Sequence, residues 1–324
     1  AYHPGRGLCD PFGGKKDLRG RVIRCVGEPV TRFCEDGLRI LRAVRFAATL
    51  EFAIAPDTAN AVRDCRALLD NIARERVRIE WDKLLLGAGA VPVLRAFPEI
   101  VGQIFPEVTP CFGFAQNSRY HCFDVWEHTL AALEYAKADH IVRLALFFHD
   151  IGKPAVYRED ACGGHFPAHA KVSVELAQAA MERLRYDRDT TARVLALVRE
   201  HDIPLPTQEK GVRRLMMRFD DADIARLLEF QRCDRLAHHP DFRDLPQEWY
   251  ALPAMVEKLR AEHACLSLRD LAVNGRDLMA LGIPAGREVG RILQELLDAV
   301  VDGNLENEKK TLLAEAEIRK KEKV

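Results

Sequence analysis

From residue 28 onward apolar residues recur at three- and four-residue intervals almost without a break, and this periodicity decides most of what the chain can fold into. It predicts helices over 33–50, 57–70, 73–86, 123–138, 141–149, 169–185, 189–201, 211–218, 221–237, 246–263, 268–281, 286–302 and 306–320. Strand-like sequence is confined to RVIRCV, Arg21–Val26, behind a glycine- and charge-rich opening. The expected class is all-α, an elongated multi-helix array with a short β remnant at its N-terminal end. With 324 residues, 48% of them hydrophobic, a large buried core in two or three domains is affordable. Proline and glycine clusters at 87–110 and 240–246 are the expected boundaries.

The formal net charge of −1 excludes a global basic surface, so any nucleic-acid face must come from local clusters such as Arg74, Arg76 and Arg78, or Arg213, Arg214 and Arg218. Each cluster reads equally well as a solvated helix face. Nine cysteines, at positions 9, 25, 34, 65, 111, 122, 162, 233 and 265, form no CxxC pair, which argues for reduced thiols and a cytoplasmic protein. No apolar run is long enough for a membrane span, and no signal peptide is recognised. The basic residues of the tail, from Lys309 to Lys323, alternate with glutamates as in a solvated terminal helix.

Two patterns carry chemistry. In EDGLRILRAVRF, Glu35–Phe46, the predicted helix sets Asp36 one turn before Arg39, with Arg42 and Arg45 following. A carboxylate accepts from an exocyclic amino group and a guanidinium donates to a neighbouring ring nitrogen or carbonyl, so the pair suits the edges of cytosine and adenine. The spacing alone is also that of an ordinary surface ion pair.

The segment resembles the EDxxRxxRAxRF motif of the bacterial-type tRNA nucleotidyltransferases, the CCA-adding enzymes and their poly(A) polymerase relatives. In that family the acid and first arginine form an amino-acid template for CTP and ATP, which assigns nucleotide binding to Asp36, Arg39, Arg42 and Arg45. Upstream, DPFGGKKDL is similar to the family's hinge, with Asp10, Gly13 and Gly14 in place; downstream, Arg76 and Glu80 match an RxxxE element that supports the template helix. Residues 270–307 look like the family's C-terminal helical region. The resemblance implies tRNA as partner and four pieces: 1–27, remnant of head and hinge; 28–110, neck; 111–240, body; 241–324, tRNA-binding tail.

Nucleotidyl transfer needs a carboxylate pair holding Mg²⁺, which the family carries in a catalytic head ahead of the hinge. The expectation is that this head is absent and that the polypeptide alone adds no nucleotide, either as a truncated gene product or as one half of a split enzyme whose head lies on a separate chain. CCA-, CC-, A- and poly(A)-adding specificities are not separable from the sequence.

The second pattern is a concentration of histidine: seven of eleven lie between positions 121 and 201. His128 in VWEHTLAAL, His149 and Asp150 in LALFFHDIGK, and Asp234 in QRCDRLAH resemble the ligand set of the HD superfamily of metal-dependent phosphohydrolases. Imidazole with carboxylate suits Ni, Mn, Co, Fe or Zn. Asp150 and Lys153 are the expected catalytic residues, and His165, His169 and His201 extend the site toward substrate or a second metal. His121, His140, His238, His239 and His263 read as structural.

The resemblances together imply a tRNA 3′-end-processing protein with 2′,3′-cyclic phosphodiesterase and phosphatase activity in its body. The alternatives are a stand-alone HD nucleotide phosphohydrolase and a non-enzymatic RNA-binding subunit.

Overall fold

The computed structural model describes residues 2–5, 7–161 and 163–321; Ala1, Cys162 and Lys323, named above, lie outside them. The class is all-α as the periodicity predicts. In chain order the helices are α1 (Gly14–Gly20), α2 (Pro29–Glu35), α3 (Leu38–Leu50), α4 (Pro56–Asp64), α5 (Arg74–Leu85), α6 (Ala90–Ala96), α7 (Pro98–Ile104), α8 (Val125–Tyr135) and α9 (His140–Phe148). There follow α10 (Lys153–Val156), α11 (His169–Arg183), α12 (Arg188–Glu200), α13 (Glu209–Arg218), α14 (Asp221–Leu236), α15 (Gln247–Ala261), α16 (Gly275–Ala280), α17 (Arg287–Val301) and α18 (Lys309–Lys321). The described strands form three two-stranded pairs: β1 (Tyr2–His3) antiparallel to β2 (Gly7–Leu8), β3 (Val22–Ile23) parallel to β4 (Ala53–Ile54), and β5 (Arg158–Asp160) antiparallel to β6 (Gly163–His165). No helix among the described residues is long and apolar enough to cross a membrane.

The chain divides into two compact units, residues 1–202 with 226–244, and residues 203–225 with 245–324. In the first, Trp81 of α5 is fully buried, its ring centre 4.7 Å from that of Phe105 and 4.9 Å from that of Phe147. Helix α9 is apolar on every side and accordingly buried along its length. Its one charged residue, Arg143, is satisfied by the Leu85 and Ala136 carbonyls at 2.6 and 2.9 Å. Asp139 caps α9 through the Val142 N–H, so an insoluble helix is begun by a polar residue and ends by delivering His149 and Asp150 into the interior. In the second unit Leu278, Ile292, Leu296, Leu312 and Ala316 form the core of α16, α17 and α18.

Two expectations about the chain path are corrected. The helix predicted over 33–50 is broken at Asp36 and Gly37, because the chain there passes against the turn at Arg66–Asn71. A Cβ on Gly37 would lie 3.0 Å from Leu68 Cβ and from its carbonyl oxygen. The stretch 87–110, read as a boundary, lies inside the first unit and is largely helical. Pro98 and Pro106 start helical turns, where a missing N–H costs nothing, and Gly87 and Gly89 let the chain press onto Ala48, whose carbonyl accepts the Gly89 N–H at 2.8 Å.

Candidate metal centre and base-facing helix

Five separate elements of the first unit bring the body histidines and acids to one point. His128 comes from α8, His149 and Asp150 from the end of α9, His169 from the first position of α11, His201 from the C-terminal end of α12 and Asp234 from α14. His128 Nε2 is 2.9 Å from Asp234 Oδ1 and 3.6 Å from Asp150 Oδ2. His149 Nε2 is 3.1 Å from Asp150 Oδ2 and 3.4 Å from Asp234 Oδ1. His169 Nε2 and His201 Nε2 approach Asp150 Oδ1 at 3.3 and 3.8 Å, and each other at 3.0 Å. Two triads follow, His128 with His149 and Asp234, and Asp150 with His169 and His201, each with its donor atoms within 4.8 Å of one another.

The orientation of the rings is imposed by the backbone. Nδ1 of His128, His149, His169 and His201 lies 3.3, 2.7, 3.0 and 2.7 Å from the carbonyls of Ala237, Leu146, Phe166 and Val198. A carbonyl only accepts, so each Nδ1 carries the hydrogen and each Nε2 is turned inward. His149 Nε2 and both Asp150 oxygens are buried without a hydrogen bond of ordinary geometry. This donor set fits a divalent ion: imidazole nitrogens with fixed tautomer, two carboxylates, and inward-facing atoms with no better protein partner.

Electrostatics favour cations here. Burial alone would raise the Asp150 carboxyl, but the His149 imidazole and the Lys153 ammonium hold it well below the ordinary carboxylate range. Asp234 behaves alike, with His128 and His149 outweighing burial. Burial pulls His149 down, yet Asp150 and Asp234 push it up to about 10, whereas burial leaves His201 lowered to about 4. Lys153 Nζ sits 2.6 Å from Asp150 Oδ2 and donates to Gln116 Oε1 at 2.8 Å.

His165 is not brought to this cluster. Its side chain is half exposed on β6 and pairs with Asp160 at 3.0 Å, because the β5–β6 hairpin turns it away from the start of α11. Conversely, His121 and His238, read as structural, pack around His128 with ring centres 4.9 and 5.4 Å away. Burial first, and then neighbouring charges, lowers His121 to about 2; burial likewise lowers His238 to about 4. Gln116 was also missed, and nothing local in its sequence marks it.

At the other motif, Asp36 lies outside the helix in extended backbone, φ −152° and ψ 104°, which corrects the expected one-turn spacing on a single helix. Its Oδ1 accepts the Leu38 N–H at 3.1 Å and its Oδ2 lies 3.3 Å from Arg76 Nη2. Arg39 donates to Glu35 Oε2 at 2.6 Å and to the Arg32 carbonyl at 2.9 Å. Glu80 receives Arg45 Nε at 2.8 Å, and Arg45 stacks 3.6 Å over Phe46, so Arg45 is turned into the α3–α5 packing while Arg42 is exposed. Asp10 accepts the Gly14 and Lys15 N–H groups at 2.7 and 2.8 Å, which starts α1 behind Gly13 in the left-handed region, φ 73°. In the second unit Arg213 and Arg214 are engaged by Glu209 and Asp302 at 3.1 and 2.7 Å.

Residues 51–111 match the family model described as a probable RNA- and SrmB-binding site of polymerase A, and residues 166–316 match one described as tRNA nucleotidyltransferase domain 2, putative. Fold and matches together define a helical RNA-processing protein. The chain is 36% identical over 308 residues to the CC-adding tRNA nucleotidyltransferase of Thermus thermophilus, covering 90% of this chain and 68% of the relative. It is 34% identical over 316 residues to the A-adding enzyme of Deinococcus radiodurans, covering 92% and 71%. The Bacillus stearothermophilus CCA-adding enzyme in complex with CTP superposes with a TM-score of 0.68 at 27% identity, over 99% of this chain and 71% of that one. The chain belongs to the tRNA nucleotidyltransferase family.

Proposed function

We propose that this chain acts in tRNA 3′-end processing, reading a nucleotide base with Asp36 and Arg39 and hydrolysing a terminal phosphate ester in its body. The centre is held by His128, His149, Asp150 and Asp234, with His169 and His201 as further ligands around Asp150. The observation that carries this reading is the set of four imidazoles, each tied through Nδ1 to a backbone carbonyl, that aim Nε2 at Asp150, two of them at Asp234 as well. A divalent ion held there supplies Lewis acidity for attack of water on phosphorus. In hydrolysis of a 2′,3′-cyclic phosphate one P–O bond forms, one breaks, and a proton passes to the departing ribose oxygen. Lys153, buried beside Asp150, offsets part of the local negative charge and keeps that carboxylate ionised.

Nucleotide binding is supported by the CTP complex of the Bacillus relative, and its assignment to Asp36 and Arg39 rests on their motif. Their present partners, Arg76 and Glu35, are exposed enough to exchange for a base edge. The stand-alone phosphohydrolase is less favoured, since the similarity to tRNA nucleotidyltransferases spans 90% of the chain, neck included.

The test is metal analysis and turnover of 2′,3′-cyclic nucleotides by the full chain supplied with Ni²⁺ or Mn²⁺. Wild type is expected to retain ion through gel filtration and to hydrolyse the substrate, and His149→Ala to lose both; equal metal content in the two proteins would overturn the assignment.

A further inference from the structure

The β5–β6 hairpin and the residues after it line an open surface depression of about 520 Å³ formed by Arg158, Glu159, Asp160, His165, Phe166 and Pro167. That volume falls in the range of small-molecule sites, roughly 300–1,000 Å³. None of these six side chains belongs to the metal-centre ligand set, yet the pocket is fastened to it. The Phe166 ring centre lies 5.1 Å from Lys153 Nζ and 6.5 Å from the centre of the His169 ring. The Gly164 N–H donates to the Asn117 carbonyl at 2.8 Å, and the neighbouring Gln116 holds Lys153 through Oε1. One short segment, 116–117, therefore supports both the hairpin and the ammonium beside Asp150.

The hairpin packs closely against residues 116–117. A Cβ on Gly164 would fall 2.1 Å from the Gln116 carbonyl oxygen, and Gly163 occupies φ +114°. Immediately after the pocket Ala168 adopts φ 55°, unusual for a residue with a side chain, and this bend puts His169 at the head of α11. The pocket and His169 are thus joined by one short connection.

The lining suits a nucleoside. Phe166 and Pro167 supply an apolar wall, His165 and Asp160, bonded to each other at 3.0 Å, form a polar edge, and the exposed Arg158 supplies a cation for phosphate. We infer that this pocket is a base subsite, taking the terminal nucleoside whose phosphate ester is cleaved in the adjacent centre, with Arg158 meeting the preceding phosphate of an RNA end. The inference rests on the metal-centre reading above.

The metal-loaded full chain is assayed on adenosine 2′,3′-cyclic phosphate, on ribose 2′,3′-cyclic phosphate lacking the base, and on a dinucleotide ending in the cyclic phosphate. Phe166→Ala is expected to raise KM for the adenosine substrate about tenfold and to change KM for the base-free substrate far less. Arg158→Ala is expected to raise KM for the dinucleotide more than for the mononucleotide, and being an exposed position it keeps the test available should Phe166→Ala fold poorly. Equal wild-type KM with and without the base, or equal effects of Phe166→Ala on both, overturns the subsite. Should the metal centre itself fail, neither substrate turns over; quenching of a 2-aminopurine nucleotide by wild type but not by Phe166→Ala then still supports the pocket, and no quenching sinks it.

Discussion

Gly152, the glycine of HDIGK, is expected to be irreplaceable for a reason of space. Its backbone, φ −81° and ψ −15°, is open to any residue, so conformation gives no objection to alanine. A Cβ there, however, would lie 2.6 Å from both the His169 carbonyl oxygen and the Ser173 nitrogen, and 2.9 Å from Ser173 Oγ. Reaching an ordinary separation requires α10 and α11 to part by about 1 Å, and such overpacking costs about 1–3 kcal/mol. The Gly152 N–H, which donates to Ser173 Oγ at 2.9 Å in a buried setting, loses its partner at a further cost of about 1–3 kcal/mol. The same displacement carries His169 away from Asp150, and disturbing the support of a ligand typically lowers metal affinity about 10–100-fold. Gly152→Ala is therefore expected to lower the denaturant midpoint and to weaken Mn²⁺ binding measured by calorimetry. Gly290→Ala in α17 serves as control, since no atom lies within 4 Å of its added Cβ, and helix propensity predicts a gain of about 0.5–1 kcal/mol. Unchanged stability and unchanged Mn²⁺ affinity in Gly152→Ala would refute the packing argument.

Two further outcomes follow from the first unit. Glu80→Ala leaves Arg45 mostly buried without its carboxylate, the side chains being only 12% and 15% exposed, so a loss of about 3 kcal/mol is expected in denaturant unfolding; the double variant Arg45→Met/Glu80→Leu should recover most of it, and failure to do so counts against the pair as the cause. Burial works to raise the Asp139 carboxyl, but the Val142 N–H and the Arg226 guanidinium hold it below its usual value. A depressed carboxylate stabilises the fold above its unfolded value near 3.8 and loses that contribution as pH falls through the lower folded value. Asp139→Asn should therefore flatten the acid limb of the stability–pH curve, and an unaltered limb would show that other carboxylates set it.

The helical class was legible because a three-to-four period survives tertiary context whenever one face is buried, as along α3. The convergence of His128, His149, Asp150 and Asp234 was legible because His149 and Asp150 end an apolar run in charge. What escaped depended on partners remote in sequence. Asp36 leaves the helix where Gly37 meets Leu68, and Arg39 reaches back across that break to Glu35 and to the Arg32 carbonyl at the end of α2. His165 was placed with the ligands by proximity in sequence alone, and only the pairing of β5 with β6 reveals that it faces Asp160. Gln116 has no periodic signal at all; its role arises from Lys153, thirty-seven residues further along.

The charge balance of the centre explains why the fold accepts it. Asp150 is 2% exposed and Asp234 17%, and Lys153, 2.6 Å from Asp150, is an always-cationic side chain beside them. Two buried carboxylates need more than this one ammonium to balance them in a medium where unpaired charge is expensive. Protein stability alone would favour replacing one acid by an apolar side chain of similar volume. The chain instead surrounds both acids with imidazoles, which can be neutral ligands or charged partners, and spends four backbone carbonyls on fixing which way those rings face. An arrangement that is costly for folding, and pre-set in its donor geometry, is what a cation-holding site requires.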